Sequence, residues 1–341
     1  MKKIVVLLLF LSNSLFAQIS PDQLTDIGNL LDDAIFFSDK FITPATDASV
    51  YEQSSSWLYT PKKKKLWDVS LSVHGNLFFV PNHDRKFIIN NTDFKFFKIA
   101  RTINGQDLII SSASVPTAMG PISHTRLVGQ IGDSKVRIWT PDGINENVVA
   151  YPYFQGSLGL WNGTELISKY STKVNLKGGK YQVYGFGIKH NLSQYFKYLE
   201  RKKINIAALM AYSKEDLTFK FLDVTTDYGT LGINQITSLV DTYQFQMSAS
   251  KEWNRFEFMV GAIVNKSNFN YQITGPKGTI DTYFEPSFQE IVNIRLKEIN
   301  KTKYNYLGEI SCRYKMNKMF LQSTIAFGKF VNSNIALEYE F

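Results

Sequence analysis

Along much of this chain, apolar and polar residues alternate one for one. Tyr243, Phe245, Met247 and Ala249 interleave with Thr242, Gln244, Gln246 and Ser248. Phe256, Phe258, Val260, Ala262 and Val264 oppose Arg255, Glu257 and Asn265, and Tyr304, Tyr306, Ile310, Cys312 and Tyr314 oppose Asn305, Glu309, Ser311 and Arg313. Trp67, Val69, Leu71, Val73, Leu77 and Phe79 oppose Asp68, Ser70, Ser72, His74 and Asn76. Period two sends successive side chains to opposite faces, so each run predicts a strand with one apolar and one polar face. The runs last roughly 10 to 14 residues, against about 5 or 6 for an ordinary strand. A tilted membrane strand needs about 9–11.

The last ten residues follow the same rule. Ile335, Leu337, Tyr339 and Phe341 share one face, and Asn334, Ala336, Glu338 and Glu340 the other. Ending on an aromatic of this face resembles the C-terminal signal of outer-membrane barrels, with Tyr339 and Phe341 as the residues read by the assembly machinery. Short polar segments at 177–180, 213–216, 251–254 and 315–318 predict tight turns. They alternate with longer connections at 191–203, 225–239 and 267–302, as periplasmic turns and outer loops do in a barrel. Trp67, Trp139, Trp161 and Trp253 fall near predicted strand ends, where interfacial girdles belong. The fold class is therefore all-β, an antiparallel transmembrane β-barrel. Counting back from Phe341 gives about fourteen strands, or twelve if residues 86–149 hold one hairpin fewer; the number must be even.

The start of the chain reads differently. Lys2 and Lys3 precede an apolar stretch at 4–11, and Ala17 precedes the expected cut, which is the order of a secretory leader. Leu24, Ile27, Leu31 and Ile35 then recur at helical spacing among aspartates, predicting an amphipathic helix that ends near residues 37–40. The expected organisation is a leader over 1–17, a helical hatch segment over 18–63 and a barrel over 64–341. Four lysines at 62–65 predict a basic edge where the first strand begins. The helix's apolar stripe needs a partner, and Phe78, Met259, Ile263 and Leu307 occupy otherwise polar, inward positions. With His74, Arg255, Glu257, Glu309 and Arg313 they are the candidate residues of the lumen.

Composition narrows the function classes. There are 38 Lys and Arg against 30 Asp and Glu, a formal charge of +8, but the bases are scattered, which does not suggest nucleic acid. Losing Lys2 and Lys3 with the leader leaves 36 minus 30, or +6. Cys312 is the single cysteine, so no internal disulfide forms. His74, His83, His124 and His190 have no metal-ligand spacing. His74 with Ser70 or Ser72 is all that could imitate a hydrolytic pair, and its shared strand makes it ordinary lumen polarity. Gly185-Phe186-Gly187 is a fragment of a dinucleotide loop with no helix after it.

The run YPYFQGSLGLWNGTEL ending at Leu166, the run YGFGIKH from Tyr184 to His190 and the Val115-Pro116-Thr117 loop resemble an uncharacterised family of outer-membrane barrels known only as a domain of unknown function. More distantly, a hatch ahead of about fourteen strands is similar to the long-chain fatty-acid and hydrocarbon transporter family. That resemblance implies passive, hatch-gated uptake of hydrophobic molecules, and none of that family's ligand residues align here. The expectation is an integral barrel with no catalytic residue, metal or cofactor. Its expected partners are membrane lipids, the assembly machinery and a small hydrophobic molecule, with no nucleotide. A structural or interaction barrel and a small-solute pore are the alternatives.

Overall fold

The fold is seen in a computed structural model that describes residues 21–176, 178–220, 225–226, 229–279 and 287–341. The expected leader and residues 18–20 lie outside the described residues, as does the side chain of Leu24. Helix α1 (Pro21–Ser54) comes first, followed by an extended stretch and strand β1 (Val69–Phe79). Six short strands follow: β2 (Lys86–Asn90), β3 (Lys98–Ile103), β4 (Gln106–Ile109), β5 (Ser112–Pro116), β6 (Arg126–Ile131) and β7 (Ser134–Trp139). Next come β8 (Val148–Gly159), β9 (Thr164–Tyr170), β10 (Val174–Leu176), β11 (Gly179–Asn191), helix α2 (Lys197–Arg201) and β12 (Ile204–Lys220). After the two-residue strands β13 (Thr225–Thr226) and β14 (Gly229–Thr230) come β15 (Gln235–Trp253) and β16 (Phe256–Ile273). Helix α3 (Phe288–Leu296), β17 (Lys301–Met316), β18 (Met319–Phe327) and β19 (Val331–Glu340) complete the chain.

Ten antiparallel strands close a ring in the order β1, β8, β9, β11, β12, β15, β16, β17, β18, β19 and back to β1. The short β10 is an extra strand, pairing with β11 beyond the end of β9. Closure removes every sheet edge and satisfies the backbone inside the wall, the condition for spanning a bilayer with strands. The faces divide as the alternation requires: Tyr243 is 55 % and Phe245 46 % exposed, whereas Gln246 is fully buried. Gly185 lies where a Cβ would stand 2.4 Å from the Tyr212 carbonyl oxygen, so glycine permits the close approach of β11 and β12.

The expected fourteen strands become ten for two physical reasons. Residues 86–149 were expected to contribute strands to the wall, but all of them before β8 fold away from it. There β2 pairs with β5, and β4, β3, β6 and β7 form a separate four-stranded sheet. Trp139 goes with them, under the Arg126 guanidinium at 4.2 Å, and belongs to no girdle. The predicted turn at 213–216 lies inside β12, with Ser213 and Glu215 buried and Lys214 and Asp216 outside. Strands β12, β15, β16 and β17 are 17, 19, 18 and 16 residues long, more than a bilayer requires. Their outward charges, such as Lys214 beside Asp241, lie beyond the apolar belt.

Helix α1 also overruns its predicted end and continues through Pro44 to Ser54. Residues 41–54 carry a weak helix pattern, but their surroundings hold them: Ile42, Val50 and Gln53 are fully enclosed. The helix and the stretch after it run the full height of the barrel interior. Asp33, near the start, bonds to residues 95–97 of the small-strand region, and Lys64, near the end, bonds to Ser70 and Ser157. Ser70 stands opposite Glu340. The helix therefore begins at the end of the barrel remote from Phe341. The Phe341 end carries the two-residue turns at 254–255 and 317–318, which marks it as periplasmic. The 191–203 connection, expected outside, also lies at this end and the turn expected at 177–180, on the periplasmic side, at the other, because 213–216 is strand and not the turn that would have reversed the order.

Two outcomes follow. Phe245→Arg costs about 2–4 kcal/mol near the bilayer midplane, read by urea titration in lipid vesicles, while Phe245→Leu is nearly neutral. A peptide epitope inserted directly before Pro21 reacts with antibody on intact cells; reaction only after the outer membrane is permeabilised contradicts the orientation.

Candidate functional site

The candidate site is the barrel interior, where inward side chains of the strands meet the threaded segment. At the outer end, the Asp33 carboxylate accepts from the backbone N–H groups of Lys95, Phe96 and Phe97 at 2.8, 2.8 and 2.9 Å. Beside it, Asp32 takes Lys95 at 2.7 Å and also pairs with Arg295 after α3 begins. The Lys95 hydrogen bond, and after it that of Arg295, hold the Asp32 carboxyl below its ordinary value despite some burial. A carboxyl depressed on folding contributes stability above its unfolded value, and loses it as the pH falls through the folded one. Lower down, Asp39 binds Lys301 at 2.8 Å, and Asp47 binds Lys303 at 2.5 Å and Lys329 at 3.2 Å.

At mid-height α1 ends, and its last turn contains no basic residue. The wall supplies one. Lys169, fully enclosed on β9, donates to the carbonyl oxygens of Gln53 at 3.0 Å and Ser55 at 2.9 Å. A cation there satisfies orphan carbonyls and faces the negative end of the helix dipole. The ammonium also lies 4.6 Å from the Trp57 ring centre and 4.7 Å from that of Tyr153, a cation–π sandwich. Around it Ser49 donates to Glu215 at 2.7 Å, Gln53 to Thr242 at 2.9 Å, and the Ser56 N–H to Glu309 at 2.7 Å.

At the periplasmic end the extended stretch is strapped down by buried ion pairs. Lys64 stands 3.3 Å from Glu165 and 3.9 Å from Glu338, Lys189 pairs with Glu165, and Arg313 reaches Glu338 at 2.6 Å and Glu257 at 3.7 Å. Three bases meet three acids. Thr60 donates to Glu257 at 2.6 Å, and Lys189 donates to the carbonyls of Thr60 and Lys62. Removing one member would leave its partner a buried charge, which makes the strap costly to dismantle piecemeal.

Most of the expected lumen residues point inward, but they do not form one patch. Met259 clusters with Trp57, Leu58 and Ile167, while Ile263 and Leu307 belong to the large core that includes α1. Phe78 belongs to that same core and is tilted against Phe330, with ring centres 5.6 Å apart. Leu31 and Ile35 are buried and Ile27 is half-buried on the helix. Glu257, Glu309 and Arg313 engage the threaded segment or the strap as described. Arg255 does not: it occupies the exposed two-residue turn after β15, because the alternating strand that seemed to include it begins one residue later, at Phe256. Tyr339 and Phe341 are exposed on the outer surface, with rings 4.9 Å apart. Lys169, Glu165, Lys189, Glu215 and Glu338 went unread as site residues. Their signal was an inward-parity charge on an otherwise polar face, which alternation alone does not distinguish from ordinary polarity.

His74 sits in a geometry that deserves chemical testing. Its Nε2 is 2.8 Å from Ser72 Oγ, and its Nδ1 is 2.9 Å from Asn334 Oδ1 on β19. That is the order of a nucleophile, base and orienting amide. The same atoms also complete a chain that ties the threaded segment to the wall. Tyr59 OH lies 2.6 Å from Ser72 Oγ, Asn334 donates to Asn76 at 3.3 Å, and Asn76 donates to Glu52 at 3.2 Å. Ser72 is buried, with the Tyr153 ring stacked on His74 at 4.3 Å. Among the described residues, no group of three or more His, Cys, Asp or Glu is placed to hold a metal ion.

The whole chain, residues 1–341, matches the family described as "Family of unknown function (DUF6588)". The chain belongs to this family. No curated protein matches it. Similar solved structures include an outer membrane channel from Pseudomonas putida F1, at 9% identity and a TM-score of 0.33, covering 83% of this chain and 99% of that one. OccAB3 of Acinetobacter baumannii is 8% identical at a TM-score of 0.23, covering 80% and 98%. The toluene transporter TbuX of Ralstonia pickettii is 8% identical at 0.22, covering 81% and 90%.

Lys169→Met leaves the α1 carbonyls without their donor and is expected to cost about 1–3 kcal/mol. Urea titration of the reconstituted barrel reads the loss, which Lys169→Arg recovers in part.

Proposed function

We propose that this barrel is a closed channel through which small hydrophobic molecules pass passively when the threaded segment shifts, and that it performs no chemistry on them. The observation that carries this reading is a pair of apolar hollows in series along one face of α1. The outer hollow, about 80 Å3, is bordered by Leu30, Ala34, Phe37 and Phe41 of the helix and by Leu127 and Ile236. The inner one, about 40 Å3, is bordered by Ala45 and Ala48 with Phe78, Tyr151, Leu217 and Phe219. Phe41 and Phe219 meet edge to face between them, at 6.3 Å.

Helical positions 30, 34, 37, 41, 45 and 48 follow the 3.6-residue repeat, so one stripe lines both spaces. In the closed arrangement each space admits only a few water-sized groups, and a larger cargo requires α1 to move. Polar groups elsewhere in the interior are engaged with the threaded segment, which disfavours an open polar pore. The density of those same contacts favours the second reading, a structural or interaction barrel whose plug never leaves.

A cross-link decides between them. In a Cys312→Ser background, Gln53→Cys and Thr242→Cys are joined through disulfides to a short bis-methanethiosulfonate spacer, because the native 2.9 Å contact is made by the tip of the longer glutamine side chain. Liposome uptake of an apolar dye is expected to stop when this pair is bridged and to resume on reduction. Equal uptake in both states, or none in the unmodified barrel, defeats the gated-channel reading. For the absence of chemistry, a fluorophosphonate probe is expected to leave Ser72 unlabelled; labelling that disappears in His74→Ala would indicate a hydrolase instead.

A further inference from the structure

The net charge of the chain is not spread evenly along the barrel axis. At the periplasmic end, the fully exposed charged residues in and beside the connections are Lys63, Lys65, Lys197, Arg201, Lys202, Lys203, Lys251, Arg255, Lys315 and Lys318, with Glu200 alone of opposite sign. Ten exposed bases face one exposed acid there, and with the half-buried Lys62, Asp68, Glu252 and Glu340 the tally is eleven bases to four acids. The bases are not uniformly placed either. Six of the ten lie on one arc, formed by the stretch before β1 and the connection from β11 to β12.

The same arc carries aromatic residues that no part of the chain covers. Tyr195, Phe196 and Tyr198 are 64, 58 and 61 % exposed in the β11–β12 connection, outside the strands. Trp67 and Trp161 stand beside one another on the neighbouring connections, 6.1 Å apart. The arc is built rather than loose. Gln194 donates to the Asn162 carbonyl at 2.7 Å, joining the β11–β12 connection to the β8–β9 turn. His190 Nε2 lies 3.0 Å from the Tyr195 hydroxyl, and Lys202 returns its N–H to the Tyr198 and Leu199 carbonyls at the end of α2.

We infer that this arc is a binding surface for anionic glycerophospholipids of the periplasmic leaflet. Aromatic rings with polar tips settle at the boundary of acyl chains and headgroups. Lysines and arginines just beyond them lie at the depth of lipid phosphates and are drawn to negative surface charge. A contiguous exposed apolar patch beside the membrane wall is stable in contact with lipid and unfavourable in water. Apolar strand face, exposed rings and cations thus adjoin one another on this arc, the three kinds of group that a lipid's tails, interface and phosphate contact. The inference does not depend on whether anything passes through the barrel.

The test uses the full-length barrel, stripped of lipid in detergent, with phosphatidylglycerol and phosphatidylcholine of equal chain length added and bound lipid counted by native mass spectrometry. Phosphatidylglycerol is expected to be retained about tenfold better, with the preference weakening as salt rises. The variant Lys197→Gln, Arg201→Gln, Lys202→Gln alters exposed positions only, and its folding is checked by the heat-dependent shift on a gel. Its preference is expected to fall at least about threefold. Equal retention of both lipids by the unmodified barrel overturns the inference, as does an undiminished preference in the folded triple variant. Capture of an acidic protein with no lipid preference would likewise overturn it.

Discussion

A strand that crosses a bilayer in a closed ring must turn half of its side chains inward, and in a ten-stranded ring that inner space is narrow. Here it is lined with glutamates, lysines, glutamines, asparagines and serines, each costly to bury without a partner. The rest of the structure depends on meeting that demand. The chain meets it with its own N-terminal segment, whose carbonyls, carboxylates and hydroxyls are distributed along the barrel axis to match the wall. Lys169 is the clearest instance, because helix and wall each lack what the other provides: α1 ends without a cation, and β9 presents one that, among the described residues, meets no acid within ion-pair distance.

This reciprocity gives the interior a graded character. The outer end is held by pairs that remain partly exposed, such as Asp32 with Lys95 and Asp47 with Lys329. Such pairs are weak individually and sensitive to salt. The periplasmic strap is a dry network of Lys64, Lys189, Arg313 and three glutamates, in which partial opening strands a charge. The pairs along α1 are accordingly easier to open one at a time than those of the strap.

The two ends of the barrel differ for reasons that reach back to the connections. Basic, aromatic edges gather where Phe341 ends the chain, and the separate small sheets gather at the other end. Strands of 16 to 19 residues on one side lift the wall beyond the bilayer and give the outer region a base to rest on. The start of α1 is clamped into that region by three backbone N–H groups converging on Asp33.

What the sequence determined by itself was whatever a strand's own geometry enforces. Alternation places Tyr243 and Phe245 outside and Gln244 and Gln246 inside wherever the strand goes, because the pleat is local. The same holds for the terminal strand ending at Phe341 and for the apolar stripe of the first helix. The tertiary structure decided everything that depends on partners distant in the chain. Residues 86–139 satisfy a strand pattern equally well in the wall or in a small sheet, and only long-range pairing sends them to the latter. A polar tetrapeptide at 213–216 serves as a turn or as strand beyond the membrane, and its neighbours on β11 and β15 make it strand. The helix outlasts its periodic signal because enclosure replaces propensity. Arg255 and Lys169 are both charges adjoining alternating runs, yet one falls in a two-residue turn and the other meets a helix end more than a hundred residues away in sequence. Nothing local distinguishes them, since a charge becomes part of a site only through the group that stands opposite.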